Sequence, residues 1–493
     1  MDFSLLFLWF LFAWVCYYVL TYATSKLPPG PFPIPIVGSL FNLGSKPHES
    51  LAKLAKTYGS LMAIKLGSVT TIVVSSPAMA KEILQTHDQF FAARMVPDAV
   101  RIHNQHEASM IFLPSSSPHW RNVRKLCNSQ MFTSQRINDN EKIREMKVND
   151  LVDHIRKVES RCAVNIAQLV FSTTLNLISN TLFSVDLADF NSSESSQEFK
   201  ALVWGCMEEI GRPNNLADYF PLLRRFDLQS IRRRTAIYFE KLDKLFDSLI
   251  DDRLQSQEES APNDLLNRLL FHTEENGCKL DRTEIKILLK ELFIAGTDTS
   301  AGTLEWAMTE LLRHPDVLTK AKLELKEKLE ANKPIEESDI ARLPYLQAIV
   351  KETLRLHPAA PLSVPHRAEM DIEICGFNIP KHAKVLVNVW AIGRDPDLWS
   401  NPNSFIPDRF LGSNVDFKGR DFELIPFGSG RRICPGMSLA YRMVHLMLGS
   451  LIQSFGWELE DGMKPEDIDM DDKFGITLQK LKPLHAVPFP SEN

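Results

Sequence analysis

Hydrophobic residues recur at helical spacing over most of the chain. Residues 77–86, 141–158 and 232–254 place apolar side chains three or four positions apart, which predicts amphipathic helices. Residues 66–75 are instead rich in β-branched side chains and predict a pair of strands. The pattern therefore predicts a fold that is mainly α with a minor β part. Later strand candidates are residues 384–389 and 475–479.

The longest helical pattern covers residues 283–313, with Asp281 and Thr283 as candidate N-caps and Pro315 beyond its end. At about 1.5 Å per residue this helix would be roughly 46 Å long. Its middle, residues 295–300, is poor helix-forming sequence, because glycine costs about 1 kcal/mol and Ser and Thr side chains compete for backbone hydrogen bonds. We expect a kink and a groove there, although a weak spot tolerated in a core helix would have the same composition.

The first part of the chain is apolar, and residues 3–23 contain no charged side chain. At about 1.5 Å per residue they would span roughly 31 Å, enough to cross a bilayer. A cleaved signal peptide would begin with basic residues and have a shorter apolar run, so Asp2 and the late Tyr22 favour a retained anchor over residues 1–26. The lysines that follow place the rest of the chain in the cytosol by the positive-inside rule; they are Lys26, Lys46, Lys53 and Lys56.

Residues 27–38 form a proline-rich segment with five prolines. Such a segment forms neither a helix nor a central strand, and it predicts a stiff, extended hinge after the anchor. Residues 39–493 show no internal repeat, so we interpret them as one large catalytic domain. The glycosylation sequon at residues 191–193 is expected to be unused in a cytosolic domain.

Composition excludes several classes of protein. The 493 residues are 44% hydrophobic and carry a net charge of −6, which gives a sizeable core and no basic footprint for nucleic acid. The seven cysteines are widely spaced, odd in number and without a CxxC pair, which argues against a disulfide framework and a structural zinc site. His103 and His106 lack a third metal ligand, so a surface loop is the simpler interpretation. No GxGxxG fingerprint is present, so any electrons must come from another protein.

One cysteine stands in an unusual loop. Residues 427–436 surround Cys434 with glycines, and Gly430 and Gly436 can take positive φ or allow a close approach to the backbone. Arg431 and Arg432 are expected to favour the thiolate over the thiol. The loop could therefore present a thiolate to something large and flat, or it could hold an ordinary buried cysteine.

The spacing of five residues in this loop resembles the haem-ligand loop of the cytochrome P-450 monooxygenases. The matching residues are Phe427, Gly430, Arg432, Cys434 and Gly436. The resemblance implies haem b as cofactor, with the Cys434 thiolate as the axial ligand of its iron. It also implies that Arg432 pairs with a haem propionate and that Phe427 packs near the sulfur.

The weak centre of the long helix resembles the oxygen-binding groove of the same family. The resemblance implies that Asp298 relays protons from solvent and that Thr299 donates a hydrogen bond to O₂, because oxygen–oxygen cleavage consumes two protons. Small residues here, Ala295 and Gly296, would leave room for O₂ and substrate. Further residues are expected to give the substrate pocket an apolar lining; they are Phe293, Ile294, Leu362, Val364 and Ile476.

Other positions are assigned to the haem edge by the resemblance. Trp120 and Arg124 lie four apart on one predicted helix face, and in the family a Trp and an Arg at this spacing reach the two propionates. Either His366 or Arg367 would make a further propionate contact, which the sequence leaves open. Residues 113–119, before Trp120, form a loop that is one residue longer than is usual in the plant branch of the family that this chain resembles.

Surface charge and buried charge have separate interpretations. Arg121, Lys125 and Arg431 could form a basic patch for an acidic redox partner, or simply a solvated surface.

Glu352 and Arg355 fall on the apolar side of a helix predicted over residues 345–357. A buried pair needs further hydrogen bonds, and the family pattern supplies Arg409 as its partner. We interpret these three residues as structural supports.

The resemblance implies a monooxygenase of the endoplasmic reticulum membrane that uses O₂ and electrons from an NADPH-cytochrome P-450 reductase. Residues 211–214, 218–221, 304–308 and 474–478 look like the plant branch that contains geraniol 8-hydroxylase. This suggests a small apolar terpenoid substrate, a monoterpenol or a diterpene. Two alternatives remain: a haem-thiolate lyase or dehydratase that does not use O₂, and a haem-binding membrane protein without catalysis.

Overall fold

The computed structural model describes residue 9 and residues 26–159, 162–190, 193–255, 263–271, 280–330 and 333–490. Helices dominate these residues and the strands are short, so the predicted class, mainly α with a minor β part, is confirmed. In chain order the helices are α1 (Pro47–Tyr58), α2 (Pro77–Lys81), α3 (Asp88–Phe91), α4 (Pro118–Cys127), α5 (Ser134–Asp139), α6 (Glu141–Arg156), α7 (Ile166–Phe183), α8 (Ser193–Gly211), α9 (Leu216–Tyr219), α10 (Ile231–Gln255), α11 (Leu265–Phe271), α12 (Arg282–Arg313), α13 (Pro315–Lys328), α14 (Pro344–Leu356), α15 (Val389–Ile392) and α16 (Met437–Ser454).

Short 3₁₀ and π-helical segments connect several of these helices. One of them, Asp98–Glu107, contains left-handed backbone at His103 and Asn104, which marks an abrupt change of direction. It lies over the cavity described below. The others are Leu40–Asn42, Glu82–Thr86, Asn128–Phe132, Pro221–Phe226, Glu337–Arg342, Pro407–Phe410, Gly430–Arg432, Glu460–Gly462 and Pro465–Asp467.

The strands form four small sheets in the described residues. The largest has the order β1-β2-β8-β5-β3, with β2 and β8 parallel and the other pairs antiparallel. The other sheets pair β4-β12-β9, β6-β7 and β10-β11. The strands are β1 (Leu61–Leu66), β2 (Val69–Val74), β3 (Ala93–Arg94), β4 (Val164–Asn165), β5 (His366–Arg367), β6 (Ile372–Ile374), β7 (Phe377–Ile379), β8 (Lys384–Val387), β9 (Phe455–Glu458), β10 (Asp472–Phe474), β11 (Leu478–Lys480) and β12 (His485–Pro490).

Two strand predictions had the wrong bounds. The β-branched segment at residues 66–75 supplies only the second strand of its hairpin, since β1 begins at Leu61. Residues 475–477, predicted as strand, form the turn between β10 and β11. Gly475 lies in this turn, where its N–H donates to the Thr477 carbonyl at 2.9 Å, so a local turn replaces the cross-strand ladder.

The long helix α12 has 32 residues and starts as the sequence predicts. The Asp281 side chain accepts from the Glu284 N–H, and the Glu284 carboxylate accepts from the Asp281 N–H, which completes a capping box. The helix continues without interruption through residues 295–300, so the poor helix formers there do not break it, and Ala295, Gly296 and Thr299 line a cavity. It packs against α7 and α16 and forms the axis of the main hydrophobic core.

A core helix also satisfies the length and hydropathy criteria for a membrane span. Within the described residues, α7 alone is long and apolar enough to cross a bilayer, and 89% of it is buried inside the protein. It packs against α12 and α6 and is therefore part of the core. The predicted anchor over residues 1–26 lies outside the described residues except for its positions 9 and 26, and residues 191 and 192 of the sequon also lie outside them.

The proline-rich segment contacts the body of the protein directly. Ala63 in β1 donates its N–H to the Pro29 carbonyl at 2.9 Å, and Gly38 forms an isolated β-bridge with Leu66. Gly30 must be a glycine, since a Cβ there would lie 1.8 Å from the Ala63 carbonyl oxygen. The segment is not extended throughout, because residues 34–38 form a turn that is closed by hydrogen bonds between Ile34 and Gly38. It lies along the edge of the large sheet and does not act as a free spacer.

Candidate active site

A cavity of about 370 Å³ lies between α12 and the loop around Cys434. Its wall is mainly apolar, and it includes Ala295, Gly296 and Thr299 from α12 together with Cys434. The two segments that the sequence singled out, separated by more than a hundred residues, thus face one enclosed space. Such a cavity has room for a large group that is bound by the sulfur and for a substrate next to that group.

The cysteine loop is closed by a hydrogen bond from the Cys434 N–H to the Phe427 carbonyl at 2.9 Å. Gly428 and Gly430 have φ of 72° and 67°, the left-handed region that favours glycine. A Cβ on Gly430 would also lie 1.9 Å from the Leu84 carbonyl oxygen. Gly436, for which a positive φ was suggested, has φ of −81°, so its lack of a side chain only leaves space beside the sulfur.

The environment of the sulfur differs from the expected one. Burial raises the pKa of the Cys434 thiol, while the N–H groups of Gly436 and Met437 and the charge of Arg124 act in the opposite direction. Arg431 turns outward to pair with Asp88 at 3.1 Å and does not face the thiol. The cation that favours the thiolate is therefore Arg124, which approaches from α4 and is distant in sequence.

Two arginines meet beside the indole of Trp120. The Arg432 guanidinium lies 4.4 Å from the centre of the Trp120 ring and donates to the Met110 carbonyl at 3.1 Å. Trp120 Nε1 donates to the same carbonyl at 2.9 Å. Arg124 donates to the Ile433 carbonyl at 2.6 Å, next to the cysteine. Arg124 and Arg432 therefore form one rim of the cavity, and Trp120 packs against Arg432 without being part of the wall.

Arg94 completes this rim, although the sequence gave no reason to select it. It lies in the two-residue strand β3, lines the cavity and donates to the Val364 carbonyl. Burial lowers the pKa of Arg94 to about 9, and the charges of Arg432 and Arg124 add to the effect. Three cations held this close favour an anion between them. The two propionates of haem fit this requirement, and a thiol on the same cavity fits its iron.

The choice between His366 and Arg367 follows from strand geometry. The two residues alternate on β5, so their side chains point to opposite faces. His366 lines the cavity, whereas Arg367 is absent from its lining. The His366 Nδ1 lies 2.7 Å from the Phe91 carbonyl oxygen, and burial lowers the pKa of this imidazole well below its usual value. His366 is therefore neutral and is the member of the pair that faces the cavity.

The residues assigned to O₂ and protons occupy distinct positions. Thr299 lines the cavity, and its hydroxyl donates to the Ala295 carbonyl at 2.7 Å. Asp298 is only 3% exposed and is not part of the cavity wall. Its carboxylate accepts from the Thr477 hydroxyl at 2.6 Å and from the Gln479 amide. Asp298 is thus linked to the cavity through Thr477, which lines it.

The predicted apolar lining is only partly correct. Ile294, Val364 and Ile476 line the cavity. Phe293 is fully buried on the other side of α12, where its ring packs against Phe246 with centroids 5.6 Å apart. The last predicted residue, Leu362, packs in the separate core under the large sheet. Both misses arise because an apolar side chain has the same sequence signature in a core and in a pocket.

Glu352 and Arg355 form a fully buried pair on α14. The Glu352 carboxylate accepts from Arg355 Nε at 2.7 Å, from Arg409 Nε at 3.0 Å and from the Ile406 N–H at 2.8 Å. Arg355 in turn donates to backbone carbonyls of the segment that precedes Arg409, including that of Pro402 at 2.7 Å. The pair therefore fixes this segment through hydrogen bonds, which is a structural position as predicted from the sequence.

Glu291 is a further residue that the sequence did not indicate. Its carboxylate accepts from the Ser109 hydroxyl and from the Met110 N–H, the latter at 3.0 Å. The carbonyl of the same Met110 accepts from Trp120 and Arg432, so the backbone of one residue joins α12 to the cationic rim. No sequence motif indicates this link, because the partners of Glu291 are a hydroxyl and a main-chain N–H about 180 residues away.

The stability of the protein should fall as pH rises, because the carboxyl of Glu291 is buried. Burial raises the pKa of its carboxyl from 4.5 to about 7, so folding favours the protonated form. The contribution of Glu291 to the free energy of unfolding is fully present below the unfolded pKa of 4.5. It falls by about 3 kcal/mol as pH rises to the folded pKa of about 7. Thermal unfolding of the wild type and Glu291→Gln should show a difference in Tm that moves in favour of the variant between pH 5 and pH 7.5. A difference independent of pH would contradict the expectation.

Taken together, the thiol, the cationic rim and the helix α12 define a haem-thiolate site. The cytochrome P-450 family profile matches residues 28–487. Geraniol 8-hydroxylases from Swertia mussotii and Catharanthus roseus are each 50% identical to this chain, with 99% of both sequences covered. A drimenol monooxygenase from Persicaria hydropiper is 46% identical, with 99% of this chain and 97% of the relative covered. The chain therefore belongs to the cytochrome P-450 family.

Membership of the family settles the type of reaction and the cofactor. The protein is a haem b monooxygenase that uses O₂, a small substrate and electrons from a redox partner. The alternatives considered from the sequence, a lyase that does not use O₂ and a protein without catalysis, are therefore set aside. The comparisons also confirm the resemblance to the geraniol 8-hydroxylase branch.

Proposed function

We propose that this monooxygenase hydroxylates a small, largely apolar terpenoid such as a monoterpenol or a diterpene. The main support for this proposal is the cavity beside Cys434, which is lined mainly by apolar side chains, among them Ile294, Val364 and Ile476. Relatives at 46–50% identity are named for hydroxylation of geraniol and oxidation of drimenol. An apolar substrate gains free energy by leaving water for such a cavity, at about 25 cal/mol per Å².

The residues around the cavity would hold the haem in a fixed orientation. Cys434 supplies the iron ligand, and Arg94, Arg124 and Arg432 supply the positive charge that two propionates need. Trp120 and His366 complete this set of contacts. When bound, haem supplies the redox chemistry by which one atom of O₂ is inserted into a C–H bond. The apolar wall excludes water from the reacting centre.

Asp298 and Thr299 are proposed to manage protons. The Asp298 carboxylate holds the Thr477 hydroxyl, which faces the cavity, and burial raises the pKa of this aspartate despite that hydrogen bond. A raised pKa makes the protonated carboxyl easier to populate, which a group that accepts and returns a proton needs. Thr299 presents its hydroxyl to the same cavity and could exchange its bond to the Ala295 carbonyl for one to a bound molecule.

Membrane attachment is proposed for the endoplasmic reticulum, with one span in residues 1–26 and the catalytic domain, residues 39–493, in the cytosol. Exposed apolar side chains occur near that end of the chain and again after α9. Gly67 donates to the Val37 carbonyl and Ser68 to the Tyr219 carbonyl, so the turn between β1 and β2 joins the two segments on one face. The exposed residues are Phe32, Ile34, Ile36, Phe41, Leu222, Phe226 and Leu228.

The redox partner is proposed to be an NADPH-cytochrome P-450 reductase. A shallow surface depression next to Cys434 is bordered by Arg121 and Lys125, both exposed. An acidic partner docked there would lie close to the sulfur side of the haem. Arg431, the third residue suggested for this patch, is already paired with Asp88 and adds less charge than expected.

The full-length chain reconstituted with the reductase in lipid vesicles tests this function. Monoterpenols should produce a type I spectral shift and should be converted to a hydroxylated product only when NADPH and O₂ are both present. Diterpenes and phenylpropanoids serve as competing substrate classes. The substrate proposal is overturned if normal CO binding is accompanied by no shift and no turnover with any terpenoid, or if only phenylpropanoids are oxidised.

Asp298→Asn in the same assay separates chemistry from binding. The substitution keeps the shape of the side chain, so the substrate shift should persist, while product formation should fall about 100-fold, as expected for loss of general acid catalysis. NADPH oxidation that continues and yields hydrogen peroxide would locate the defect in proton delivery. Unchanged product formation would remove Asp298 from the proposed proton path.

A further inference from the structure

Lys290 is a buried cation on the cavity wall, separate from the arginine rim beside Cys434. The residue is 3% exposed, and it lines the same cavity as Thr299 and Cys434. Its Nζ lies 2.6 Å from Asp243 Oδ1 and donates to Gln105 Oε1 at 3.0 Å. An ammonium has three N–H donors, and the Phe239 ring, whose centre lies 4.6 Å from Nζ, is the other group in contact with it. An aromatic face is a weaker acceptor than an oxygen, so a ligand oxygen in the cavity can take the third donor.

Holding α12 against α10 does not require a lysine inside the cavity. One turn earlier on α12, Lys286 forms the same kind of bridge with Asp247, at 2.8 Å, and Lys286 is not part of the cavity wall. A buried charge costs free energy that a leucine of similar size would avoid. Burial also lowers the pKa of Lys290, in spite of the opposing charge of Asp243. The cavity therefore contains a polar group that packing alone does not explain.

The lysine lies at the end of the cavity remote from the reacting centre. Lys290 precedes Thr299 by nine residues on α12, a distance of about 13 Å along the axis, and helical side chains point towards the N-terminus. Gln105 and His106 line the cavity beside it, and the buried Nδ1 of His106 has no hydrogen-bond partner among the residues that the structure describes. Lys290, Gln105 and His106 thus form a polar group at this end of the cavity, and the small residues Ala295 and Gly296 line it next to Thr299.

We propose that Lys290, together with Gln105, binds the oxygen-bearing head group of an elongated terpenoid and so directs oxygen insertion to the opposite, apolar end. The inference rests on the proposed function and specifies its substrate: an amphipathic terpenoid with a hydroxyl or another hydrogen-bond acceptor at one terminus. The third ammonium N–H, which is not bonded to Asp243 or Gln105, donates to this oxygen, and the apolar tail extends along α12 towards Ala295 and Thr299. The site determines the position of oxidation as well as affinity.

Spectral titration with two matched probes tests the proposal. Geraniol carries a terminal hydroxyl, and 2,6-dimethylocta-2,6-diene has the same carbon skeleton without it. Lys290→Met should raise the Kd of geraniol about tenfold, the loss of one hydrogen bond to a charged group, and leave the Kd of the hydrocarbon unchanged or lower. Product analysis should show geraniol oxidised at several positions by the variant. Gln105→Leu should change both readouts in the same direction.

Lys286→Met is the matched control, because it removes the equivalent bridge outside the cavity and should change neither Kd. An equal loss of affinity for both probes in Lys290→Met would assign the lysine to the framework, and unchanged values for both probes would also overturn the proposal. The reduced CO spectrum of each variant confirms that it holds haem. If the wild type binds neither probe, the proposed terpenoid function itself is wrong. If the wild type binds both probes equally, only the role of Lys290 is wrong.

Discussion

Cys434→Ser should yield a protein that has lost the thiolate-type Soret band of the reduced CO complex and all measurable turnover. The Sγ lies on the cavity wall, and the loop around it is closed through the Cys434 N–H, which serine retains. Only the ligand atom changes, so the variant should fold. The loss of activity should exceed about 100-fold, because a 100-fold loss is the most that is expected when a residue that only supports a metal ligand is replaced.

Cys375→Ser is the matched control for that experiment. Cys375 is an exposed free thiol at the turn between β6 and β7, remote from the cavity lining. Its replacement should leave the CO spectrum and the turnover number of the wild type intact. Retention of the thiolate band by Cys434→Ser would show that another sulfur binds the iron, and the assignment of the whole site would be wrong.

Glu352→Ala should destabilise the protein by about 3–5 kcal/mol, the cost of leaving a buried charge without its partner. Glu352 and Arg355 have side chains that are 0% exposed, and Arg355 would keep its charge without a carboxylate. The segment that carries Arg409 would also lose its hydrogen bonds to Glu352. A drop in the urea midpoint and in the yield of haem-containing protein should both be measurable.

Asp153→Ala provides the comparison for Glu352→Ala. Asp153 pairs with Arg156 three residues away on α6, and both side chains are about 60% exposed. Removing an exposed pair of this kind should change the free energy of unfolding by less than about 1 kcal/mol. Similar midpoints for the two variants would mean that the buried network contributes no more than a surface pair, contrary to its proposed structural role.

Local sequence signals predicted the long helix well. The pattern over residues 283–313 gave α12 to within one residue, because a capping box at Asp281 and a proline after the end are local chemical signals. The kink was predicted from Gly296 and its neighbours, yet α12 stays continuous. Packing against α7 stabilises the helix there, and a Cβ on Gly296 would lie 2.9 Å from Ile178 Cδ1. Glycine at this position therefore permits close packing and does not break the helix.

The site was predictable where its chemistry lies in one short segment. The spacing around Cys434 and the Ala295–Thr299 stretch both carried enough information to assign a haem and its oxygen side. Arg94 and Glu291 were missed, because each acts through main-chain partners on other elements. Phe293 was assigned to the pocket but packs in the core, since apolar character alone does not show which face of a helix meets a cavity.

The sequence by itself determined that a cysteine stands in a glycine loop with the family spacing and that the long helix supplies small and hydroxyl-bearing residues. Both properties depend on residue type and local spacing, which the chain carries wherever it folds. Only the tertiary structure decided that Arg124 is the cation near the sulfur, that Asp298 is held by Thr477, and that Lys290 faces the cavity. These relations depend on distances between elements far apart in sequence, which packing sets.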